Sequence, residues 1–463
     1  MSRMSPFARR LLATALVLGA AALVPVGGAS AQTLEQALAQ AYQTNPSLAA
    51  QRARLRAVDE SVPQALAGYR PTARVTAGVT RSAGNSTAPG IESGSQNNAK
   101  AVSGSLSQPL YDATVTPAVR RAESLVQAQR ATLLASEQQV LLNAATAYLD
   151  VVQNQAVLAL SVNNEQVLRR QLDASRDRFR VGEYTRTDVA QSESRLAGAV
   201  ASRIQADGTL QASRATYERV VGARPGELKA PRPKFRLPSN LDDLVELARA
   251  NNPNVLSASF NEAAQRHTID QQYGRLLPSA SLGLSASRTY DPGRSSGIDL
   301  DRTDSLQITA QVVIPLYQAG LPESLTREAK QTANQYRIQI DDTRQQVTES
   351  AVSAWQSLQT ARANVESFQS QINASRIALE GVRQEAQVGS RTVLDVLDQE
   401  QELLNARVNL VRAQRNEQVA AFTILSAIGQ LTARQLGLSV EYYDASANYD
   451  QVRDKWIGTG IPK

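Results

Sequence analysis

Cysteine is absent from the 463-residue chain, which excludes disulfides and thiolate metal sites. Histidine occurs once, as His267, in a stretch of helical pattern. No Cys/His metal spacing, phosphate-binding glycine loop or nucleophile motif accompanies it. We therefore expect His267 to be a surface or packing residue, and we interpret the chain as not an enzyme, with no cofactor and no metal.

Aromatic residues make up only 5% of the chain and charged residues 20%. The remainder is dominated by alanine, glutamine, arginine, leucine and valine, a mixture that favours long amphipathic helices packed side by side over a thick globular core. The formal charge of +6 is slight and evenly spread. This excludes the basic patch typical of nucleic-acid binding, so we expect no nucleic-acid partner.

Long hydrophobic runs are also missing, except near the start. Two arginines precede the apolar run Leu11–Val24, and Ala29–Ala31 provides a small-residue cleavage site. This pattern predicts a signal peptide over residues 1–31. The mature chain would begin at Gln32, which is not a cysteine, so we expect no lipid anchor. No later window approaches the ~18 apolar residues of a spanning helix.

The mature chain repeats itself at an offset of 207 positions. The offset slips by one residue only around Pro109-Leu110-Tyr111, which recurs as Pro315-Leu316-Tyr317. Such matches indicate a tandem duplication of a whole structural half. We predict halves at 32–240 and 241–430, followed by a C-terminal collar over 431–463. Further pairs that keep the offset are Asn45-Pro46 with Asn252-Pro253, Tyr148 with Trp355, Gly182 with Gly389, and Asp188 with Asp395.

Each half contains two segments in which apolar and small polar residues alternate. This period of two predicts strands at 72–82, 101–110, 279–289 and 304–314. The interval 83–98, rich in glycine, serine and asparagine, is predicted to be a loop. About eleven residues, tilted by ~45°, span ~25 Å, as a transmembrane barrel strand does. Tyr69, Tyr111 and Tyr317 lie where an interfacial aromatic girdle would fall.

Alternation by itself also fits half-buried strands on a soluble core. The strand length, the positions of the tyrosines and the small polar residues on the other face favour the membrane, which a chain without a spanning helix can cross only as a closed barrel. Four strands cannot close a barrel, because about eight are the minimum. Several chains must then share one barrel. A dimer would give eight strands around a filled interior, whereas a trimer would give twelve around an open lumen, and a conducting pore favours the trimer.

Two very long segments, 117–181 and 322–388, contain no internal proline, and the only glycine inside them is Gly381. About 65 helical residues extend ~100 Å, far more than the ~30 Å of a bilayer core, so most of each helix must project away from the membrane. Shorter helices predicted at 188–221 and 395–428 run back. Their apolar stripes suit a hollow helical barrel, and an ordinary coiled-coil scaffold fits them as well.

Between each long helix and its return lies a short tip, Val181–Val189 or Val388–Val396. Its glycine suits the left-handed residue that ends one helix. A threonine three positions later can cap the next helix, with an aspartate three positions beyond closing a capping box. The predicted threonine and aspartate pairs are Thr185 with Asp188 and Thr392 with Asp395.

The duplicated plan, the segment AATAYLDV at 144–151, IPLYQAG at 314–320 and VGSRTVLDVLDQE at 388–400 resemble TolC-type outer-membrane efflux proteins. The resemblance implies a mainly α fold with a membrane β-barrel. A homotrimer would form a twelve-stranded barrel, four strands per chain, in the lipid of the outer membrane. The barrel would continue into a twelve-helix periplasmic tunnel.

The same resemblance implies passive export in a tripartite efflux or type I secretion system. The partners would be a periplasmic adaptor and an inner-membrane transporter of the RND, ABC or MFS class. The cargo stays open among drugs, metals and secreted polypeptides, because selectivity lies largely in the transporter. The alternative interpretation is a periplasmic coiled-coil adaptor or scaffold without a pore.

Carried over by motif position, the resemblance assigns roles to the tips. Gly182 and Gly389 would touch the adaptor. Arg391 would bond a tip carboxylate, which we predict to be Asp188. Acidic residues would ring the narrowest point, favouring cations and raising some of their pKa values by crowding. Ala386 departs from the family, whose best-known members carry an aromatic gating residue there. The predicted gate residues are Thr187, Asp188, Arg391, Asp395 and Asp398.

Overall fold

The structure is a computed structural model that describes residues 32–89, 91–231, 237–295 and 298–461. The signal peptide predicted over residues 1–31 lies outside the described residues.

Both halves follow one order of elements: short helices, a strand hairpin, a very long helix and a returning helix. In the first half these are α1 (Leu34–Thr44), α2 (Pro46–Asp59), α3 (Ser61–Leu66), β1 (Thr72–Ala88), β2 (Ile91–Asp112), α4 (Val115–Arg180) and α5 (Arg186–Val221). In the second half they are α6 (Leu241–Asn251), α7 (Pro253–Gly274), β3 (Ser279–Ser295), β4 (Ile298–Val313), α8 (Leu321–Gln387) and α9 (Val393–Ala427), with α10 (Ala447–Val452) in the C-terminal segment.

The Asn-Pro pair that opens α2 and α7 forms the same joint in each half. The Asn45 side chain accepts the N–H of Ser47 at 3.0 Å, and its amide donates to the Val220 carbonyl at the end of α5, also at 3.0 Å. Asn252 likewise caps α7 and donates to the Ala427 carbonyl at 3.0 Å. One side chain therefore starts a helix and ties it to the end of the returning helix.

The four strands form one antiparallel sheet in the order β1-β2-β3-β4. Thr76 lies opposite Ser103, and their hydroxyls are hydrogen-bonded at 2.6 Å on the polar face. The opposite face carries the apolar side chains. Within the described chain no further strand pairs with the outer edges of β1 and β4, which are 17 and 16 residues long. The chain therefore presents two long open edges.

The strands are longer than the sequence predicted, and the predicted loop at 83–98 is wrong. β1 and β2 stay paired as far as Ala88 and Ile91, with a turn at Pro89. The small polar residues that suggested a loop are held in the ladder by backbone hydrogen bonds across the hairpin. Amino-acid composition indicates whether side chains will be buried. An exposed hairpin can instead be held by hydrogen bonds between its backbones, whatever its side chains are.

The long helices α4 and α8 contain 66 and 67 residues, so each is about 100 Å long at ~1.5 Å per residue. α5 returns along α4, and α9 returns along α8 while also packing on α4. α7 contacts both long helices. Among the described helices, none is both long enough and apolar enough to cross a membrane.

The largest core lies where α1 and α6 pack against the long helices, and it contains two fully buried tyrosines. The rings of Tyr148 and Tyr217 are 6.4 Å apart between centroids. The Tyr148 hydroxyl lies 2.9 Å from the Gln32 carbonyl oxygen and 2.8 Å from that of Lys229. Burial raises the pKa of Tyr148 to about 12, so the hydroxyl stays neutral and available to bond these carbonyls.

The C-terminal segment packs against this core. The backbone N–H of Tyr443 donates to the Tyr42 hydroxyl at 3.0 Å, and the N–H of Ala433 donates to Glu137 at 2.8 Å. Burial raises the pKa of Glu137, and the hydrogen bond from Ala433 opposes this shift. α10 packs on α2. The collar is thus joined to the body by hydrogen bonds as well as by its aromatic rings.

Two glycines end the returning helices in the left-handed conformation. Gly222 has φ 86°, and a Cβ there would lie 2.6 Å from the Thr44 hydroxyl oxygen. Gly429 has φ 77°, and a Cβ there would overlap the Asn251 carbonyl oxygen. Gly437 has φ 63° but open space around the position of a Cβ. A Cβ at Gly437 would meet only backbone strain, whereas a Cβ at Gly429 would meet both strain and a steric clash. Comparing substitutions at the two sites therefore separates the two effects.

We expect Gly429→Ala to lower the free energy of unfolding more than Gly437→Ala does. Left-handed backbone costs an alanine ~1–2 kcal/mol at either site, and forced overlap at Gly429 adds ~1–3 kcal/mol. Denaturant unfolding of the purified protein, followed by circular dichroism, measures both. Equal losses in the two variants would contradict a close approach between Gly429 and Asn251.

Candidate gate at the helix tips

The ends of α4 and α8 are closed by the same hydrogen-bond pattern. At the first tip Gly182 has φ 81°, its N–H donates to the Phe179 carbonyl at 3.0 Å, and the N–H of Glu183 donates to Arg178 at 2.9 Å. At the second tip Gly389 has φ 80° and Ser390 repeats the longer bond to Glu385 at 3.0 Å. This is a Schellman motif, in which a left-handed glycine ends the helix. The left-handed conformation predicted for both glycines is confirmed.

Capping boxes begin the returning helices, as predicted. The Asp188 carboxylate accepts the Thr185 N–H at 2.8 Å, and the Asp188 N–H donates to the Thr185 hydroxyl at 3.2 Å. Thr392 and Asp395 form the same pair of bonds at 3.0 and 3.2 Å. Both aspartates therefore have a structural role within their own tip.

Within one chain the pKa of Asp395 is set mainly by its capping hydrogen bonds. Hydrogen bonds from the Thr392 backbone and hydroxyl hold the pKa of Asp395 below its ordinary value, and Arg391 lowers it further. The sequence predicted that crowded carboxylates would raise some pKa values. That effect concerns the carboxylates of a trimer and stays a prediction; within one chain, capping favours the charged form of Asp395.

Arg391 does not bond Asp188 within the chain. Its Nε donates to Glu385, six positions earlier on the same tip, at 2.9 Å. This bond, followed by the field of Asp395, raises the pKa of the guanidinium. The Asp188 carboxylate is bonded to Thr185 instead. The bond predicted between Arg391 and Asp188 is thus replaced, inside one chain, by a pair within the second tip.

Asp398 joins the two tips of the chain. Its carboxylate pairs with Arg195 of α5, 203 positions away in sequence. The two side chains are 52% and 39% exposed, so the pair is accessible to solvent. Beside it, Leu397 of α9 is buried against Leu168 of α4 and Ala199 of α5. A small apolar contact and one ion pair therefore hold the two helical hairpins together near their ends.

Ala386, where the family carries an aromatic residue, packs on a separate apolar cluster. This cluster fills the seam between α8 and α9. At the first tip Tyr184 occupies the position that corresponds to Arg391, and the Arg178 guanidinium donates to its hydroxyl at 3.0 Å. At this pair of corresponding positions the first tip therefore carries an aromatic ring and the second a cation.

The remaining predicted residues lie exposed at the surface. Thr187 is in the first turn of α5, and Gly182 and Gly389 lie exposed in the turns that join the helices. The valines that precede these glycines, Val181 and Val388, are 71% and 81% exposed. Each tip thus presents an apolar side chain beside a bare backbone turn.

Sequence reasoning missed two functional candidates, Glu385 and Arg195. Glu385 could have been found, because a Schellman turn places the third residue from the helix end next to the chain that follows it. Arg195 could not, because its pairing with Asp398 depends on how two distant hairpins pack. Among the described residues no cluster of acidic or histidine side chains could hold a metal ion, and the His267 Nδ1 lies 3.8 Å from Asp270.

Comparison with known proteins agrees with this geometry along the whole chain. The family model for outer membrane efflux proteins matches twice, over residues 37–223 and 244–430. The chain is 34% identical to the outer membrane efflux protein BepC of Brucella suis, over 98% of this chain and 97% of that protein. It is 26% identical to the outer membrane protein TolC of Escherichia coli, over 88% and 84%.

The fold is also that of a solved outer membrane protein. The outer membrane protein VceC of Vibrio cholerae superposes with a TM-score of 0.72 at 20% identity, over 86% of this chain and 96% of that one. These matches cover the strands, the long helices and both tips, so the alternative of a coiled-coil adaptor or scaffold is wrong. The chain belongs to the outer membrane efflux protein family.

Proposed function

We propose that three copies of this chain form one channel that passively conducts cargo out of the cell through the outer membrane. The observation that carries the proposal is the open sheet. β1 and β4 leave two long edges unpaired in the described chain, and lipid does not tolerate unpaired backbone groups. β4 of one copy and β1 of the next can pair and so remove every edge.

The two faces of the sheet suit lipid on one side and water on the other. On β4 the side chains of Leu306, Ile308 and Val312 lie on one face and are 73%, 72% and 65% exposed in the single chain. Ser305 and Gln307 alternate with them on the opposite face. An apolar exterior and a polar interior are the pattern of a water-filled transmembrane barrel. Twelve strands would leave an open lumen.

The helices would extend this lumen across the periplasm. α4 and α8 of each copy would run along a tunnel about 100 Å long, and α5 and α9, each about 50 Å long, would complete a ring of twelve helices over the part that ends in the tips. Each copy supplies two tips to its far end. The exposed Val181 and Val388, beside Gly182 and Gly389, would receive a periplasmic adaptor, and an inner-membrane transporter would supply the energy.

The tips would close the tunnel through solvent-accessible ion pairs. Arg195 and Asp398 tie the two hairpins of one copy together. Glu385 takes the Nε–H of Arg391, and a guanidinium has further donors that would reach Asp188 and Thr187 of a neighbouring copy. Exposed pairs of this kind are individually weak, so adaptor binding at the tips could separate them.

The proposed trimer is tested first by the molecular mass of the assembled protein. Light scattering of the purified protein in detergent, corrected for bound detergent, should give three times the mass of one mature chain. A monomer or a dimer would reject the proposed barrel.

Arg391→Ser should raise single-channel conductance in planar bilayers, because it removes a bond that restrains the tip. The matched control is Arg344→Ser, which removes an exposed arginine paired with Asp341 on α8, remote from the tips. The control should conduct like the wild type. Unchanged conductance of Arg391→Ser would reject the latch while leaving the channel itself in place.

Asp395→Asn combined with Asp398→Asn should reduce the preference of the channel for cations. The exchange removes two carboxylate charges per chain, leaves Arg195 uncompensated and retains an oxygen that can cap α9. The matched double exchange, Asp242→Asn with Asp243→Asn, changes two charges in the first turn of α6. Reversal potentials in a salt gradient measure the effect. If both double variants shift the reversal potential equally, the tip carboxylates do not set the ion selectivity.

A further inference from the structure

The apolar face of the sheet ends in a group of charged side chains near the hairpin ends of the strands. We call this group the basic rim. Its members come from all four strands and all lie on the apolar face: Arg81, Lys100, Arg288, Arg302 and Asp304, together with Tyr290.

The strand register places the rim in adjacent rows across the sheet. Lys100 lies opposite Tyr290, which in turn lies opposite Arg302. One row nearer the helices, Arg288 lies opposite Asp304. Three neighbouring strands therefore present a tyrosine between two cations, directly above an arginine and a carboxylate.

The rim continues the apolar face because side chains alternate along a strand. On β3, Leu282 and Leu284 share their face with Arg288. On β4, Leu306 and Ile308 share theirs with Asp304. A charge on the polar face would meet water, but these charges stand at the end of a surface that meets lipid.

Positive charge dominates the rim. The Asp304 carboxylate is shared by Arg288 at 2.7 Å and Arg302 at 3.3 Å. Neither Arg81 nor Lys100 pairs with a carboxylate among the side chains that the structure describes. Asp301 lies at an odd position of β4, on the polar face. The rim thus combines four cations with one carboxylate, and the side chains of Arg288 and Arg302 are about half exposed.

The height of the rim coincides with the edge of a bilayer. From Val313, at the helix end of β4, to Asp304 the strand runs about 30 Å, and a tilt of 35–45° reduces this to roughly 21–25 Å across the membrane. The apolar band of an outer-membrane barrel is ~25 Å tall. The rim therefore falls where the hydrocarbon ends, on the side away from the periplasmic helices.

We propose that the basic rim binds the phosphate groups of phosphorylated lipids in the outer leaflet, an inference that rests on the proposed outer-membrane channel. Ammonium and guanidinium groups bind phosphate through charge-assisted hydrogen bonds. Tyrosine is the residue that favours the membrane interface, with its ring toward the acyl chains. Three copies would place a ring of such sites around the barrel, each able to hold a lipid whose acyl chains cover the apolar face below.

The test compares Lys100→Gln combined with Arg302→Gln against the wild type. Native mass spectrometry of the detergent-purified protein, titrated with diphosphoryl lipid A, measures the affinity. Loss of two cations near an anionic lipid surface should weaken binding roughly tenfold or more. Binding of zwitterionic phosphatidylcholine should change little, because acyl-chain contacts remain.

Arg74→Gln is the matched control, since Arg74 lies on the polar face of β1, opposite Ser105. It should bind lipid A like the wild type. Equal affinity of the rim variant and the wild type, an equal loss in Arg74→Gln, or an equal loss for phosphatidylcholine would each overturn the inference. Single-channel conductance is recorded for every protein. A conducting rim variant with undiminished lipid binding rejects the inference alone, whereas a non-conducting wild type rejects the proposed channel and the inference with it.

Discussion

The unpaired edges of β1 and β4 are the constraint on which the rest of this molecule depends. Each backbone N–H and C=O that enters hydrocarbon without a partner costs several kcal/mol, and two open strands carry many such groups. Covering them within the chain would require further strands, which the described residues do not supply. In the proposed trimer, pairing with identical copies would remove both edges at once.

The helical part is stabilised in two unequal regions. Near the middle, α1, α6 and the C-terminal segment surround Tyr148 and Tyr217 in one large buried cluster. Toward the tips only small clusters remain, such as the one around Leu168 and Leu397, with exposed ion pairs beside them. A region with few buried contacts opens at low free energy. The distribution of packing therefore leaves the ends of the hairpins as the part that can move while the middle stays intact.

The duplication shows which features tolerate divergence. Turn chemistry is kept in both halves: the left-handed glycines, the capping boxes and the Asn-Pro joints recur with nearly equal distances. Charges are kept only in part: the ion pairs of Arg176 with Glu193 and of Arg383 with Glu400 correspond, whereas Arg391 corresponds to Tyr184 and Asp398 to Gln191. Backbone geometry is required by both halves, whereas the charge at a tip depends on what it meets. In the proposed trimer, the two tips of each copy would thus have different neighbours.

The sequence by itself determined the elements whose cause is local. Period-two alternation located the strands, the absence of glycine and proline located the long helices, and Gly-x-x-Thr-x-x-Asp located both tips, because each pattern acts through neighbouring residues. Tertiary structure decided the rest. The hairpins extend through 83–98 because of cross-strand bonds. Asp398 bonds Arg195, because this ion pair follows the packing of helices that lie far apart in sequence, whereas within one chain Arg391 bonds Glu385 of its own tip.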